Sequence, residues 1–321
     1  MKKKRPISVA LIAWVGFTLL PALACAQLKT VKAALTSKEV LDNLPYFVAD
    51  KMGFFKEVGI DYQPSYFRGG GEVVRAVTTR ATDITGTNSP AALMIAASRG
   101  EPIRIVSGSG APLLGIYWIV KADSPIKSVK DLRGKKIGFS SPGSVTHTTL
   151  QAILKAEGLE KETEMVRVGT PGDSWAAIKN GVVDAGWHVS PAVYALIQKK
   201  EARIAINGAD YIKHYQQSVV AVMEDVIKRD PDMIRNFLKA RARAVKFLGG
   251  NREKTISIWA EELKLPEEVI WLAYRDIPGS FFETGAPKTE NLMGSMQEAI
   301  GSGAMKEPLD LKKILDLRFL P

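Results

Sequence analysis

The sequence has little cysteine and little histidine, and it has no long apolar stretch beyond its N-terminal region. Its 321 residues include one cysteine and three histidines. A single thiol cannot close an intramolecular disulfide, and the histidines show no spacing typical of a metal site. Beyond Leu20, no run approaches the roughly 18 apolar residues that a membrane-spanning helix needs. The composition therefore predicts no metal, no cofactor and no further membrane span.

The N-terminal 26 residues have the layout of an export signal. A basic start, Lys2–Arg5, precedes an apolar run from Ile7 to Leu20, and small residues around Cys25 suit cleavage after Ala26. We therefore assign residues 1–26 to a signal peptide and expect an exported chain without cysteine. The stretch Ala22–Cys25 also resembles a lipoprotein signal, although that pattern prefers Leu at its first position. Lipid anchoring through Cys25 is the less favoured alternative.

The formal charge of +10 has no pattern that indicates nucleic-acid binding. Basic residues such as Lys239, Arg241 and Arg243 are scattered along a helical segment without interleaved aromatic residues. The positive balance fits an ordinary solvated surface or a weak attraction for anions. We expect no nucleic-acid partner.

A group of residues recurs in the same register 101 positions further along the chain. Each copy predicts a helix, a strand around an aspartate, and a second helix that has Ser at its N-cap and Pro in its first turn. The matched pairs are Gly71-Glu72 with Gly172-Asp173, Ala76-Val77 with Ala177-Ile178, Asp83 with Asp184, and Ser89-Pro90-Ala91 with Ser190-Pro191-Ala192. The repeat indicates two similar lobes.

Short β-rich runs alternate with helical stretches in both copies, which predicts parallel sheets with helices on both faces. Extended segments at Gly115–Val120 and Ser218–Val222 are expected to cross between the lobes. We therefore expect lobe 1 to comprise residues 27–115 and a return segment, 217–321, with lobe 2 at 116–216. Ligands of such sheets bind beyond the carboxyl ends of the strands.

Three turns of the first lobe are candidate ligand contacts. Hydroxyl, cationic and amide side chains at these turns suit a small polar ligand, and glycines allow backbone N–H groups to approach it. An exposed loop, a tight turn and a helix cap are the competing interpretations of the three turns. The candidate residues are Ser37 and Lys38, then Gly70 and Gly71, then Thr87, Asn88 and Ser89.

The second lobe offers two further turns. Ser141, Gly143, Ser144 and Thr146 follow a predicted strand and begin a helix, so hydroxyls and helix N–H groups come together there. Simple capping is the alternative. In the other turn, Trp187 has an indole to stack on a planar solute, and His188 has an imidazole to hydrogen-bond it. By the register of the repeat, His188 matches Thr87.

Two segments carry a family resemblance. Leu44–Ile60, which reads LPYFVADKMGFFKEVGI, and Val129–Gly138, which reads VKDLRGKKIG, are similar to the nitrate/sulfonate/taurine-type solute-binding proteins of bacterial ABC importers. The resemblance covers essentially the whole chain after residue 26. It implies an α/β, two-lobed type II periplasmic-binding-protein fold, with two doubly wound mixed sheets joined by a two-segment hinge.

The resemblance also implies a function. We expect a periplasmic, monomeric protein that captures a small anionic organic solute, such as a sulfonate or carboxylate, and delivers it to the importer's permease in the inner membrane. A thiamine precursor or another heterocycle is the alternative solute. The superfamily also contains desulfinase-like and precursor-synthase enzymes, and a ligand-sensing domain is a further alternative. The desulfinase-like alternative requires a cysteine nucleophile, and the synthase alternative requires lysine and histidine for pyridoxal-phosphate chemistry.

Overall fold

The structure, a computed structural model, describes residues 27–321, so the predicted signal peptide and Cys25 lie outside the described residues. The described part contains ten strands: β1 (Lys29–Thr36), β2 (Ile60–Phe67), β3 (Ile84–Asn88), β4 (Ile103–Gly110), β5 (Ile116–Lys121), β6 (Lys136–Phe139), β7 (Glu164–Arg167), β8 (Gly186–Val189), β9 (Ala202–Asn207) and β10 (Ser218–Met223).

The same residues, 27–321, contain thirteen α-helices and three 3-10 turns. The α-helices are α1 (Leu44–Lys51), α2 (Phe54–Glu57), α3 (Gly70–Thr78), α4 (Pro90–Ser98), α5 (Val145–Ala156), α6 (Pro171–Lys179), α7 (Ala192–Gln198), α8 (Glu224–Arg229), α9 (Pro231–Gly250), α10 (Arg252–Leu263), α11 (Glu267–Arg275), α12 (Thr289–Gly301) and α13 (Leu311–Ile314). The 3-10 turns are Leu41–Asn43, Val129–Leu132 and Gly208–Asp210. Helices α8–α13 follow the last strand.

The two sheets have the same strand order. The first sheet runs β2-β1-β3-β10-β4, and β10 is antiparallel to both of its neighbours. The second sheet consists of β6-β7 and β8-β5-β9, joined by a parallel bridge between Ile137 and Ala185. Its order is therefore β7-β6-β8-β5-β9, in which β5 is the antiparallel strand. We call the first sheet with its helices the first lobe, and the second sheet with its helices the second lobe.

This arrangement confirms the α/β fold with two mixed sheets. Each sheet receives its antiparallel strand from one of the two extended segments that the sequence places between the lobes. The chain leaves the first lobe through the loop before β5 and returns to it at β10. The residue boundaries of the lobes stay a prediction.

The repeated aspartates occupy equivalent positions. The Asp83 carboxylate accepts a hydrogen bond from the Lys32 N–H at 2.9 Å, and Asp184 accepts one from the Lys136 N–H at 2.8 Å. Both residues lie just before their strands, β3 and β8, rather than inside them as predicted. Asp83 thus bonds to the middle of β1 and Asp184 to the first residue of β6, which satisfies backbone N–H groups of the neighbouring strands.

The second helix of the repeat differs between the copies. Ser89 is the N-cap residue of α4, and Pro90 is in the first turn, as predicted, although the Ser89 side chain makes no capping hydrogen bond. In the other copy, Pro191 takes the N-cap position, and α7 begins at Ala192. Ser190 is therefore not the cap, because its N–H pairs with the Gly115 carbonyl at 2.9 Å before the helix starts.

Each lobe has its own apolar core. In the first lobe, α9 begins where Asp230 caps the Met233 N–H at 3.2 Å, and it buries a face that includes Ile234, Phe237 and Leu238. Their spacing of three and four residues places them on one stripe, and each buried side chain contributes roughly 1.5–3 kcal/mol. In the second lobe, buried Trp118 donates its indole N–H to the Gly138 carbonyl at 3.0 Å.

Within residues 27–321, no helix combines the length and apolarity needed to cross a membrane.

Candidate functional site

A cavity lies between the two lobes, near the carboxyl ends of β1, β3 and β6 and the starts of α3, α4 and α5. Its volume in this structure is about 50 Å³, which is smaller than that of a typical ligand pocket. Both lobes and the start of β10 line it, with Thr36, Ser37, Val40, Asp42, Arg68, Gly69, Gly70, Asn88, Ser89, Ile116, Ser140, Ser144, Val145, Thr146, Trp187, Gln217 and Ser218.

Asn88 provides an unpaired amide in this cavity. It is the last residue of β3 and is fully buried, yet neither Nδ2 nor Oδ1 has a hydrogen-bond partner among residues 27–321. The adjacent Ser89 hydroxyl likewise has no partner within hydrogen-bond geometry in the described chain. Because buried polar groups in proteins are nearly always paired, these atoms are placed to bond a polar solute.

Thr87 does not line the cavity, although it was predicted to face the cleft. Successive residues of a strand point to opposite faces, so Asn88 reaches the cavity and Thr87 turns away from it. The Thr87 hydroxyl donates to Asn43 Oδ1 at 3.0 Å and accepts from the Thr36 N–H at 3.1 Å. Its role in the structure is to fix the end of β1 against β3.

The turn after β1 has one residue at the cavity and one away from it. Ser37 is buried and lines the cavity. Lys38 does not, because its ammonium lies 2.9 Å from the Glu262 carboxylate and over the rings of Phe47 and Tyr66. The structure therefore does not bring Lys38 to the predicted anion position.

The glycines before and within α3 serve two purposes. Gly70 lines the cavity, and a Cβ at that position would lie 2.9 Å from Asn88 Oδ1. Gly71 lies outside the cavity, where a Cβ would be 2.9 Å from the Pro142 carbonyl oxygen of the second lobe. A Cβ at Gly69 would likewise collide with the Ser141 side chain. The sequence predicts that these glycines let the backbone approach a ligand. In the structure, Gly69 and Gly71 also let the backbone of the first lobe approach the second lobe.

Three hydroxyls of the second lobe form a closed triangle at the cavity wall. Ser140 and Ser144 are 2.8 Å apart, Ser140 and Thr146 are 2.8 Å apart, and Ser144 and Thr146 are 3.1 Å apart, all between side-chain oxygens. Ser144 also caps α5 by accepting from the His147 N–H at 3.2 Å. Ser144 and Thr146 therefore line the cavity, but within a network that already satisfies them, and their contact with a ligand stays a prediction.

Ser141 and Gly143 lie at the seam between the lobes instead of in the cavity. The Ser141 side chain faces Gly69, and a Cβ on Gly143 would lie 3.6 Å from the Ile95 side chain of α4. Gly143 adopts a φ of +73°, and its N–H donates to His147 Nδ1 at 3.2 Å. These residues form part of the contact that shuts the cleft.

Trp187 and His188 separate in the same way as Asn88 and Thr87. Trp187 lines the cavity, and its indole N–H is already bonded to the Gly169 carbonyl at 3.1 Å, so its ring is what remains for a solute. His188 lies on the other face of β8 and does not line the cavity. Burial lowers the pKa of His188 to about 4, so the ring is neutral at physiological pH.

Sequence reasoning missed the two charged residues that line the cavity. Asp42 comes from the turn after β1, and Arg68 precedes α3 with an exposed side chain. Gln217 and Ser218, at the start of β10, were also missed. A carboxylate within the apolar stretch Val40–Leu44, and polar residues at the start of the return strand, are the signals that would have indicated them.

Asp42 is a buried carboxylate at the cavity. Gln217 Nε2 donates to its Oδ1 at 2.7 Å. Burial raises the pKa of Asp42 to about 6, although the neighbouring Ser218 hydroxyl, Gln217 and the charge of Arg241 act in the opposite direction. The Asp42 side chain is therefore mostly ionised at neutral pH.

An ion pair joins the two lobes beside the cavity. Arg167, at the end of β7, contacts the Glu72 carboxylate in the first turn of α3 at 2.8 Å. With the contacts at Gly69, Gly71 and Gly143, this pair holds the lobes together over the cavity. In the described part of the chain, no group of three or more histidine, cysteine, aspartate or glutamate side chains is arranged to hold a metal ion.

Known proteins resemble this chain in sequence and in structure. The riboflavin-binding protein RibY of Chloroflexus aurantiacus is 24% identical over 78% of this chain and 67% of its own length. A protein of Escherichia coli K12 named as an aliphatic sulfonates-binding protein is 25% identical over 64% of this chain and 63% of its own length. About a third of each of these two relatives therefore lies outside the match.

The solved structure of the periplasmic aliphatic sulphonate binding protein SsuA from Escherichia coli superposes with a TM-score of 0.72, at 20% identity, over 89% of this chain and 97% of SsuA. At that identity the likeness shows a shared fold, the periplasmic-binding-protein fold expected from the sequence. Residues 41–254 match the family described as NMT1/THI5 like. This matched region includes β2–β10 and every residue that lines the cavity except Thr36, Ser37 and Val40. The chain is a member of the NMT1/THI5-like family.

Proposed function

We propose that this protein is the exported solute-binding component of an ABC importer, and that it captures a small organic solute with an anionic head in the cavity between its lobes. The observation that carries the proposal is the Asn88 amide, which is buried at the cavity with no partner for either polar atom among the described residues. Burial of such a group costs roughly 1–3 kcal/mol unless a hydrogen bond compensates it. A solute that binds Asn88 removes that cost.

Several features support an anionic head. The N-terminal turns of α3, α4 and α5 meet at the cavity, and the free N–H groups of a helix start favour negative charge. The exposed guanidinium of Arg68 adds a positive charge at the cavity. The names of the sulfonate-binding relatives describe ligands of this kind.

The contact between lobes supports capture by closure. Because the lobes already contact each other beside the cavity, we expect a solute to enter when they separate and to be enclosed when they close further. The proposed partner of the closed protein is a permease in the inner membrane. We further propose that the protein is periplasmic and monomeric, released by cleavage after Ala26 in preference to lipid anchoring through Cys25.

A nitrogen heterocycle is the second candidate solute, and Trp187 favours it. The ring of Trp187 is at the cavity, and aromatic stacking on a planar solute contributes about 0.5–1.5 kcal/mol beyond area burial. A riboflavin-binding relative is among the proteins that resemble this chain. We propose that the protein binds its solute without converting it, whichever solute class it takes.

Native mass spectrometry of the purified protein tests the proposal by identifying a solute that copurifies. Calorimetry on protein stripped of ligand then compares sulfonates, carboxylates, nitrate, amino acids and thiamine precursors. The proposal expects micromolar or tighter binding by at least one anionic solute, with binding about 10- to 100-fold weaker in Asn88→Ala. Binding by none of them contradicts the proposal, and turnover of a bound compound would indicate an enzyme.

A further inference from the structure

The Asp42 carboxylate has no cation beside it in the described chain. No lysine, arginine or histidine nitrogen of residues 27–321 lies within 4.0 Å of its oxygens, although the side chain is buried. Buried charges in proteins are normally paired, because removing an ion from water is costly. The Asp42 carboxylate is therefore a buried negative charge at the cavity that no neighbouring cation of residues 27–321 compensates.

The nearest basic group, Arg241, is occupied elsewhere. Its guanidinium donates to the backbone carbonyls of Ser109, at 2.6 Å, and Glu283. It lies outside the cavity lining, so it lowers the pKa of Asp42 from a distance without pairing with it. Gln217 donates one neutral hydrogen bond to Asp42 Oδ1, and the neighbouring Ser218 hydroxyl is likewise a neutral group, so neither supplies a positive charge.

The charges of the cavity are therefore of two kinds. Asp42 is a buried anion, whereas Arg68 and the starts of α3, α4 and α5 are positive. A solute with only a negative head satisfies the positive groups and leaves Asp42 uncompensated. A solute with both charges satisfies all of them.

We propose that Asp42 makes this site selective for bipolar solutes, which carry a protonated amine or another N–H donor nitrogen in addition to their anionic head. The inference rests on the proposed function and specifies its substrate class. The donor nitrogen pairs with Asp42, and the anionic head faces Asn88, Ser89 and the helix starts. Plain anions of the same size are discriminated against by the carboxylate.

Matched pairs of solutes test the inference in calorimetry on the stripped protein. Each pair has the same acid head and chain length, with and without an amino group: aminoalkyl sulfonates against alkyl sulfonates, and amino acids against alkyl carboxylates. The wild-type protein is expected to bind the amino member about 10- to 100-fold more tightly, as for a hydrogen bond to a charged group. Asp42→Asn is expected to lose most of that preference, while it binds the plain member as tightly as wild type or more tightly.

Asp123→Asn is the matched control, since Asp123 is an exposed carboxylate in the loop after β5. It should keep the wild-type preference. Equal affinity for both members of each pair in the wild type would overturn the inference and leave the proposed function intact, and this comparison needs no variant to fold. An equal loss for both members in Asp42→Asn would also overturn it. If the wild-type protein bound neither member of any pair, the proposed function itself would fail.

Discussion

The two walls of the cavity differ in how their polar groups are satisfied. In the first lobe, Asn88 is buried with both amide atoms unpaired among the described residues. In the second lobe, Ser140, Ser144 and Thr146 bond to one another in a closed triangle. The first wall lacks partners that a solute can supply, and the second wall is complete without one. The two copies of the repeat thus keep the same framework but differ in whether their polar groups at the cavity are already paired.

The difference follows from single positions in the repeat. Asn88 corresponds to Val189, and Gly86 corresponds to Trp187. The first copy thus places an amide at the strand end, and the second places an apolar residue there and an indole two positions earlier. We expect the first wall to set polar recognition and the second to supply shape and an aromatic surface.

The largest expected difference between the lobes is in how their folding stability changes as the pH falls. Burial lowers the pKa of His188, in the second lobe, to about 4, whereas an unfolded histidine titrates near 6.5. The unfolded state therefore binds the extra proton between these values, and stability falls as the pH drops from about 6.5 to 4. The loss amounts to about 3 kcal/mol.

His188→Gln should remove most of that loss, which urea unfolding at a series of pH values measures. His214→Gln is the control, because His214 is exposed. It should keep the wild-type slope. A wild-type slope in His188→Gln would contradict the assignment.

Asp42, in the first lobe, should respond to pH with the opposite sign. Burial raises its pKa from 3.8 to about 6, so the folded state binds the extra proton between these values. The raised pKa disfavours folding above pH 6, and this effect is relieved as the pH falls toward 3.8. Asp42→Asn should therefore stabilise the unliganded protein at pH 7 by up to about 3 kcal/mol. A melting temperature at or below that of wild type at pH 7 would contradict this prediction.

Asn88→Ala should weaken solute binding by about 10- to 100-fold, because a hydrogen-bonded amide is removed from the site. The stability of the unliganded protein should change little, since Asn88 has no partners to lose within residues 27–321.

Asn43→Ala is the matched comparison for Asn88→Ala. Asn43 is buried, donates to the Ser37 carbonyl at 3.0 Å and accepts from Thr87 at 3.0 Å. It should lower stability by roughly 1–3 kcal/mol. If the two variants behaved alike in calorimetry and thermal unfolding, the contrast between paired and unpaired amides would fail.

Ser144→Ala tests the second wall. It removes the N-cap of α5 and one corner of the hydroxyl triangle, so stability should fall by about 1 kcal/mol. Solute affinity should change less than in Asn88→Ala. Chemical denaturation and calorimetry give the two values, and a greater affinity loss than in Asn88→Ala would place the main polar contacts on the second lobe.

Arg167→Ala should have the smallest effect. The Arg167 and Glu72 side chains pair across the seam, but the arginine is half exposed, and such pairs contribute less than about 1 kcal/mol. We expect a two- to fivefold weaker affinity, with a faster solute off-rate in stopped-flow measurements. Arg133→Ala breaks an exposed pair with Glu162 inside the second lobe and serves as the control. Equal off-rates in both variants would show that the seam pair does not restrain opening.

The sequence repeat predicted the framework well because framework residues act locally. Asp83 and Asp184 bond to the strand beside them, and Ser89-Pro90 starts a helix through backbone geometry that neighbouring residues determine. The strand alternation also predicted both sheets, including the crossing segments that became β5 and β10.

The cavity was predicted less completely, because which side chains face it depends on strand pleat and on distant segments. Asn88, Ser89 and Trp187 were identified together with their neighbours Thr87 and His188, which point away. Asp42 and Gln217 meet across 175 positions of sequence, a contact that no local pattern indicates. No local pattern indicates a partner for Lys38, because Glu262, its ion-pair partner, comes from α10, far along the chain.

The seam at Gly71 has a consequence for solute size. A side chain there would press on the backbone carbonyl of Pro142, so the depth of closure is set by main-chain atoms that cannot rotate aside. The shut cavity therefore has a fixed capacity, independent of the solute inside. A solute too long for the cavity would hold Gly71 and Pro142 apart. The seam therefore sets an upper limit on the length of a solute that the lobes can enclose.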